Sequence, residues 1–191
     1  MKILALCRTY PAHPDPATAA ANLIALVVAL NGPFYPLYVI GVIGWSGLPT
    51  FATMLASPLF FAVPWVSRRN SLAGRVALPL IGTANSMWCA KLLGIASGVQ
   101  LFCIPCIMLA ALLYRDRERW LGPALIGLAL LPLFVPEGIL GPPLLPMDAP
   151  EAARLVPLNV ACIGTLMGLL ALQFRKVFSE IETSRNRAIM N

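Results

Sequence analysis

The chain has 191 residues, 59% of them hydrophobic and 12% charged, with a mean hydropathy of +0.79; this lies far outside soluble globular usage and excludes a water-soluble domain. The net charge of +6 would suit nucleic acid only as a continuous basic face. Here the Lys and Arg residues fall in short clusters between apolar runs, so they read as topology signals and no nucleic-acid partner is expected.

Residues 1–16 read as an uncleaved cytoplasmic lead. The apolar core of Met1 to Arg8 is too short for a secretory signal, and Pro11, Pro14 and Pro16 follow it. The first hydrophobic block, 17–45, is longer than a span requires and is interrupted by Asn31-Gly32-Pro33 and by Pro36. Each half is too short to cross alone, so the pattern predicts one long, kinked or tilted helix. After Ser46-Gly47 a second span over 48–66 makes a hairpin with the first and is bounded by Arg68-Arg69.

A weaker third run, 76–90, carries Thr83, Asn85 and Ser86 inside it. Lipid cannot satisfy such groups, so this span is expected to face protein. The fourth run, 92–114, ends at Arg115-Asp116-Arg117-Glu118-Arg119. The fifth, 120–135, starts on Trp120 and leads into a loop rich in Pro, Gly and acids. The sixth, 155–174, offers about 20 apolar-rich residues, enough at about 1.5 Å rise for a hydrocarbon core of about 30 Å. It passes at Arg175-Lys176 into a charged segment, 175–191, free of Pro and Gly.

The expected fold class is therefore all-α: a polytopic membrane protein with six transmembrane helices over 17–174 and a C-terminal cytoplasmic helical stalk. Placing both termini in the cytoplasm puts 12 basic residues on the inner face against 2, Lys91 and Arg154, on the outer. That asymmetry in short loops supports an even number of spans. In the stalk, Phe174, Ile181 and Ala188 fall seven apart, with Val177 three after Phe174 and with Ser184 and Asn191 at later d positions. This is a weak a/d seam through which two copies could pair. Lys176 with Glu180 and Glu182 with Arg185 support the helix locally.

Chemistry-bearing residues are sparse. Cys103-Ile104-Pro105-Cys106 puts two thiols on one helix face, a spacing open to soft-metal or redox chemistry. Cys89 and Cys162 could reach similar depth. Cysteine is also a small apolar packer where helices approach closely, and the packing reading is favoured. The single histidine, His13, precedes the first span, which disfavours haem. Met54, Met87, Met108 and Met167 are too scattered for a copper path.

Every Asp and Glu lies in a loop or tail, which argues against a proton-coupled pump. Lys91 is read as reaching out to the interface. Among polar residues within spans, Asn22 among them, Asn85, Gln100 and Asn159 could line a small pocket, or could simply bond between helices. No Walker loop, dinucleotide fingerprint or catalytic triad is present, so no catalytic residue, cofactor or metal is assigned.

Asn85, then the patch from Gly94 to Phe102 opening the fourth run, then Leu158-Asn159 beginning a last span that leads into a charged stalk, resemble the multi-pass amino-terminal membrane regions of bacterial sensor histidine kinases and class III nucleotide cyclases. The likeness covers the layout of nearly the whole chain but only these patches in residues. It implies a bundle in the bacterial inner membrane that anchors and senses, and a stalk that passes movement to a dimeric cytoplasmic output domain. The chain ends where that domain would begin, so no output residue can be carried over. Two readings stay open: a membrane sensor or anchor module of a signal-transduction protein, not itself an enzyme, with the lipid bilayer and a second copy as partners; and a small multi-pass transporter or channel component. The ligand is not legible.

Overall fold

The computed structural model describes residues 9–190, with side chains at all of these positions except 116, 137, 184, 185 and 187–190. The first half of the lead, residues 1–8 with Cys7, lies outside the described residues, as do Asn191 and the side chains of Ser184, Arg185 and Ala188. Among the described residues all regular structure is helical, without strands.

Helix α1 (Pro16–Asn31) begins on a proline whose missing N–H would have had no helical partner at that position. Gly32-Pro33 ends it, and α2 (Phe34–Ile43) follows. Gly44, at φ +81 and ψ −164, occupies backbone space nearly closed to other residues. There the chain reverses and returns as a 3-10 helix (Gly44–Ala56) and then α3 (Ser57–Arg69). The two arms run antiparallel. Gly47 packs on Val39, Gly32 on Ser57, and the Ser67 hydroxyl donates to Asn22 Oδ1 at 2.7 Å.

The block expected as one kinked helix over 17–45 is therefore two helices, and the reversal precedes Ser46-Gly47 by two residues. The first half of the second run is 3-10 rather than α. Pro49 has no N–H to give, and the Thr50 hydroxyl takes up the Gly47 carbonyl at 2.6 Å.

One residue, Asn70, separates α3 from α4 (Ser71–Leu93), and its side chain accepts from Ala73 N at 3.0 Å. The pair is antiparallel, with Ser67 against Gly74 and Trp88 Nε1 donating to Ala52 O at 2.9 Å. The expected run 76–90 is extended at both ends. The expected run 92–114 is divided instead. Residues 92 and 93 finish α4, Gly94 turns at φ +81, and 3-10 turns Ile95–Ser97 and Val99–Phe102 lead into α5 (Cys103–Leu112).

A short 3-10 turn (Asp116–Glu118) precedes α6 (Leu121–Leu130), which continues as 3-10 Leu131–Phe134. Gly122 lets α6 approach the Ala110 carbonyl of α5. Beyond α7 (Glu137–Leu140) the loop is tied to the end of α4. Leu144 N and Leu145 N donate to the Lys91 and Leu92 carbonyls at 3.0 and 2.9 Å, and Lys91 Nζ donates to the carbonyls of Leu140 and Pro142 at 2.8 Å each. Lys91 thus spends its charge on this loop.

Asp148 and Glu151 bond reciprocally, side chain to backbone N–H, and cap α8. This helix runs unbroken over 42 residues, Ala149–Met190. The segment expected as a span over 155–174 and the one expected as a stalk are thus a single helix that starts six residues earlier. Phe174 and Val177, placed in the dimer seam by their spacing, are buried against their own bundle, whereas Phe178 and Ile181 stay about half exposed.

Among the described residues, three helical stretches are long and apolar enough to cross a membrane: Phe34–Arg69, which contains the reversal, Ser71–Leu93 and Ala149–Thr183. Three shorter apolar stretches accompany them, Pro16–Asn31, Val99–Leu112 and Leu121–Phe134. The core has two layers. Ile24, Phe60, Leu78, Leu109, Leu170 and Phe174 form one; Val39, Cys89, Leu93, Val99 and Leu155 form the other.

Candidate functional site

Two places concentrate polar chemistry. The first is a cavity of about 530 Å³ between α1, α2, α3, α4, α5 and α8. It exists because small residues face the centre where large ones would fill it: Gly32, Ala56, Gly82, Ser86 and Ala161 all lie on its wall. Val27, Tyr38, Ala161 and Thr165 line it and are exposed, so it opens sideways where α1 and α2 meet α8. None of its lining residues is charged.

The three residues expected in a polar pocket separate. Asn85 lines the cavity. Asn159 is fully buried behind the wall, accepting from the Tyr35 hydroxyl and donating to Ser97 O, both at 2.8 Å. It ties α8 to α2 and to the turn after Gly94, and has no amide atom left for a ligand to replace cheaply. Gln100 is not on the wall, and its Oε1 is buried without a hydrogen-bond partner. The thiol pair divides too: Cys106 lines the cavity with Cys89 and Cys162, whereas Cys103 is buried outside it. All four are free thiols.

The second place is a charged cluster at the end of the bundle opposite the reversal. Arg75, counted from sequence among loop cations, sits in the second turn of α4 and is only 3% exposed. Its guanidinium donates to Leu113 O at 2.7 Å and forms a fork on Glu118 at 2.7 and 2.8 Å. Asp15 lies 3.8 Å from Arg75 Nε and also pairs with Arg115, which is 63% exposed. The Thr18 hydroxyl donates to Asp15 and lies 2.6 Å from Ser71 Oγ.

This network joins the starts of α1 and α4 to the connection after α5. Burial pushes the Asp15 carboxyl up, but the bonds from Thr18 and Arg115 and the charge of Arg75 outweigh it and hold it below its ordinary 3.8. Glu118 is held below its ordinary 4.5, first by the Arg75 hydrogen bonds and against the opposing effect of burial.

Sequence reasoning missed this cluster because it treated the acids as solvated loop residues. One signal was available: opposite charges at the ends of three different apolar runs, all assigned to one face. The unpaired polar wall of the cavity beyond Asn85 was also missed: Asn31 falls at the helix break, Tyr38 inside α2, and Ser57 at the junction of the 3-10 helix with α3.

No protein-family model matches the chain, and neither does any curated protein or solved structure.

Proposed function

We propose that this chain is an integral membrane sensor or anchor module of a signal-transduction protein, with six spans, both termini on the cytoplasmic side of the bacterial inner membrane, and no catalytic step of its own. The observation that carries the reading is the continuity of α8. One helix lines the cavity with Leu158, Cys162 and Leu166, packs Phe174 into the core, and runs on through Arg175 and Lys176 to Met190. A change in what fills the cavity therefore bears on an element that leaves the bundle, and an unbroken helix transmits shift or rotation with little loss.

The six-span arrangement is supported by the antiparallel registers of the apolar stretches and by large outward-facing apolar side chains such as Leu55, Trp120, Leu131 and Phe134, which suit a lipid-facing surface. The charged cluster around Arg75 collects at the face assigned to the cytoplasm.

Fusing the chain after Asn191 to a cyclase catalytic domain that works only as a dimer tests the reading. Output should exceed that of the free domain. Inserting one to four Ala after Glu182 should then change output with helical phase. A flat response removes the signalling role. The transporter reading keeps one observation in its favour, the laterally open cavity, and predicts solute flux in proteoliposomes with no dependence on the stalk.

A further inference from the structure

We propose that the cavity binds a neutral amphiphile: a molecule with an apolar chain or ring system and one uncharged hydrogen-bonding head. The proposal rests on the sensor reading and names the class of ligand for that site. At about 530 Å³ the volume falls within the range of about 300 to 1,000 Å³ typical of small-molecule sites.

Charge decides the class of head group. No lining residue is charged, and among the described residues no Arg, Lys, Asp or Glu bonds to a cavity side chain. A carboxylate or ammonium held there would lack a counter-charge in a medium of low polarity and would be disfavoured for that reason. An uncharged head meets no such penalty.

The polar lining decides where the head sits. Tyr35, Ser86 and Thr165 spend their hydroxyls on Asn159, Gly82 O and Ala161 O. The side chains of Asn31, Tyr38, Thr53 and Ser57 and the Asn85 amide nitrogen have no protein hydrogen-bond partner among the described residues; Asn85 Oδ1 accepts only a long contact, 3.8 Å, from the Cys89 thiol. Asn31, Ser57 and Asn85 share one depth. Asn31 adjoins Gly32, which packs on Ser57. The α3–α4 register, set by Ser67 on Gly74 and by Trp88 on Ala52, brings Ser57 level with Asn85.

Asn31 is exposed at the mouth, and Ser57 and Asn85 are partly covered; in a laterally open apolar wall, unpaired donors and acceptors at one level offer a recognition site for an uncharged hydrogen-bonding head. Phe60, Leu78 and Leu109 of one core layer and Val99 of the other line the cavity as well, with Phe102, Leu158 and Leu166, so apolar wall for the chain or ring of the ligand lies on both sides of that level. Entry is lateral, through the opening beside Val27, Tyr38 and Thr165, which suits a molecule arriving from the bilayer.

The full chain in phosphatidylcholine nanodiscs, photolabelled with a diazirine-bearing dodecanol, tests the proposal. Label should fall on α4 and α8 peptides lining the cavity. Unlabelled dodecanol should compete at concentrations at least about tenfold below those needed with dodecanoate or dodecyltrimethylammonium, a difference of about 1.4 kcal/mol. Asn85→Leu and, separately, Asn31→Leu should weaken labelling by about fivefold, and dodecanol should slow alkylation of Cys162 in the unmodified chain.

Equal competition by the three head groups, label that none of them displaces, or no label on the cavity peptides overturns the proposal. The last three readings use the unmodified chain and so do not depend on either variant folding. Dodecanol that competes selectively without altering the output of the cyclase fusion supports the site and overturns the sensing reading instead.

Discussion

Removing the Arg75 side chain should destabilise the bundle far more than removing that of Arg115, although both carry one charge in the same network. Arg75 is 3% exposed and makes three short hydrogen bonds, two to Glu118 and one to the Leu113 carbonyl. Bonds to charged groups contribute about 1.5 to 3 kcal/mol each and do not add. Breaking a fully buried pair costs about 3 to 5 kcal/mol, but the Glu118 side chain is 19% exposed and regains some water when its partner is lost. The working expectation for Arg75→Ala is therefore about 3 kcal/mol.

Arg115 is 63% exposed and contacts Asp15 alone among the ion pairs, so Arg115→Ala should cost no more than about 1 kcal/mol. Arg75→Lys should recover only part of the loss, because an ammonium cannot form the two-pronged bond on Glu118. Unfolding by SDS titration from mixed micelles, followed by tryptophan fluorescence, reads all three. Equal effects of Arg75→Ala and Arg115→Ala, or a loss below about 1 kcal/mol for Arg75→Ala, would refute the reasoning that burial sets the strength of this network.

The remaining predictions concern acid, backbone and topology. Asp15 and Glu118 are both held below their ordinary values of 3.8 and 4.5. Their contribution is therefore fully present above those values and is lost as pH falls through the lower folded values. SDS-unfolding stability should be flat from neutral pH down to about 5 and decline below the ordinary 4.5, and Glu118→Gln should flatten that decline; an unchanged acid profile in Glu118→Gln contradicts the assignment. Gly94→Ala should cost about 1 to 3 kcal/mol, since φ +81 with ψ 155 is closed to a Cβ, and a neutral result in the same unfolding assay would mean that the turn can relax. Phosphatase and fluorescent-protein fusions placed after Arg119 and after Glu151 should report opposite sides of the membrane, and agreement between them removes the six-span arrangement.

What could be read from sequence follows from what each signal depends on. Helix, apolar stretch and boundary are local properties. The charge of Arg68-Arg69, the capping side chain of Asn70 and the Pro-free run beyond Arg175 all act within a few residues, and the helices reflect them. Places where the chain adopts unusual backbone depend on glycine and proline acting together. The reversal was expected at Ser46-Gly47, two residues after Gly44 where it occurs, and the division of the fourth run at Gly94 and Gly98 was read through because the flanking residues are as apolar as a continuous span.

Burial of charge depends on partners far along the chain. Arg75 meets Glu118, 43 residues away, and nothing near position 75 distinguishes it from a solvated loop arginine. The polar site was legible only at Asn85. Asn159 satisfies itself on Tyr35, 124 residues distant, and Asn31 and Ser57 share one cavity wall only because the chain folds back on itself, Gly32 against Ser57.

The stalk decides between a signalling module and a transporter, and Ile181 is an outward apolar residue on it, with Phe178. The buried stripe of Leu170, Phe174 and Val177 on α8 continues to Ile181, which lies seven residues after Phe174 and is 51% exposed, where the bundle no longer covers it. A second copy of α8 would complete that stripe, whereas Thr183, also exposed, turns its hydroxyl back to the Ser179 carbonyl at 2.8 Å. Disulfide crosslinking in native membranes should therefore be far more efficient for Ile181→Cys than for Thr183→Cys, the native cysteines being common to both proteins. Equal or absent crosslinking at the two positions would contradict a paired stalk and, with it, the assignment of this chain to signal transduction.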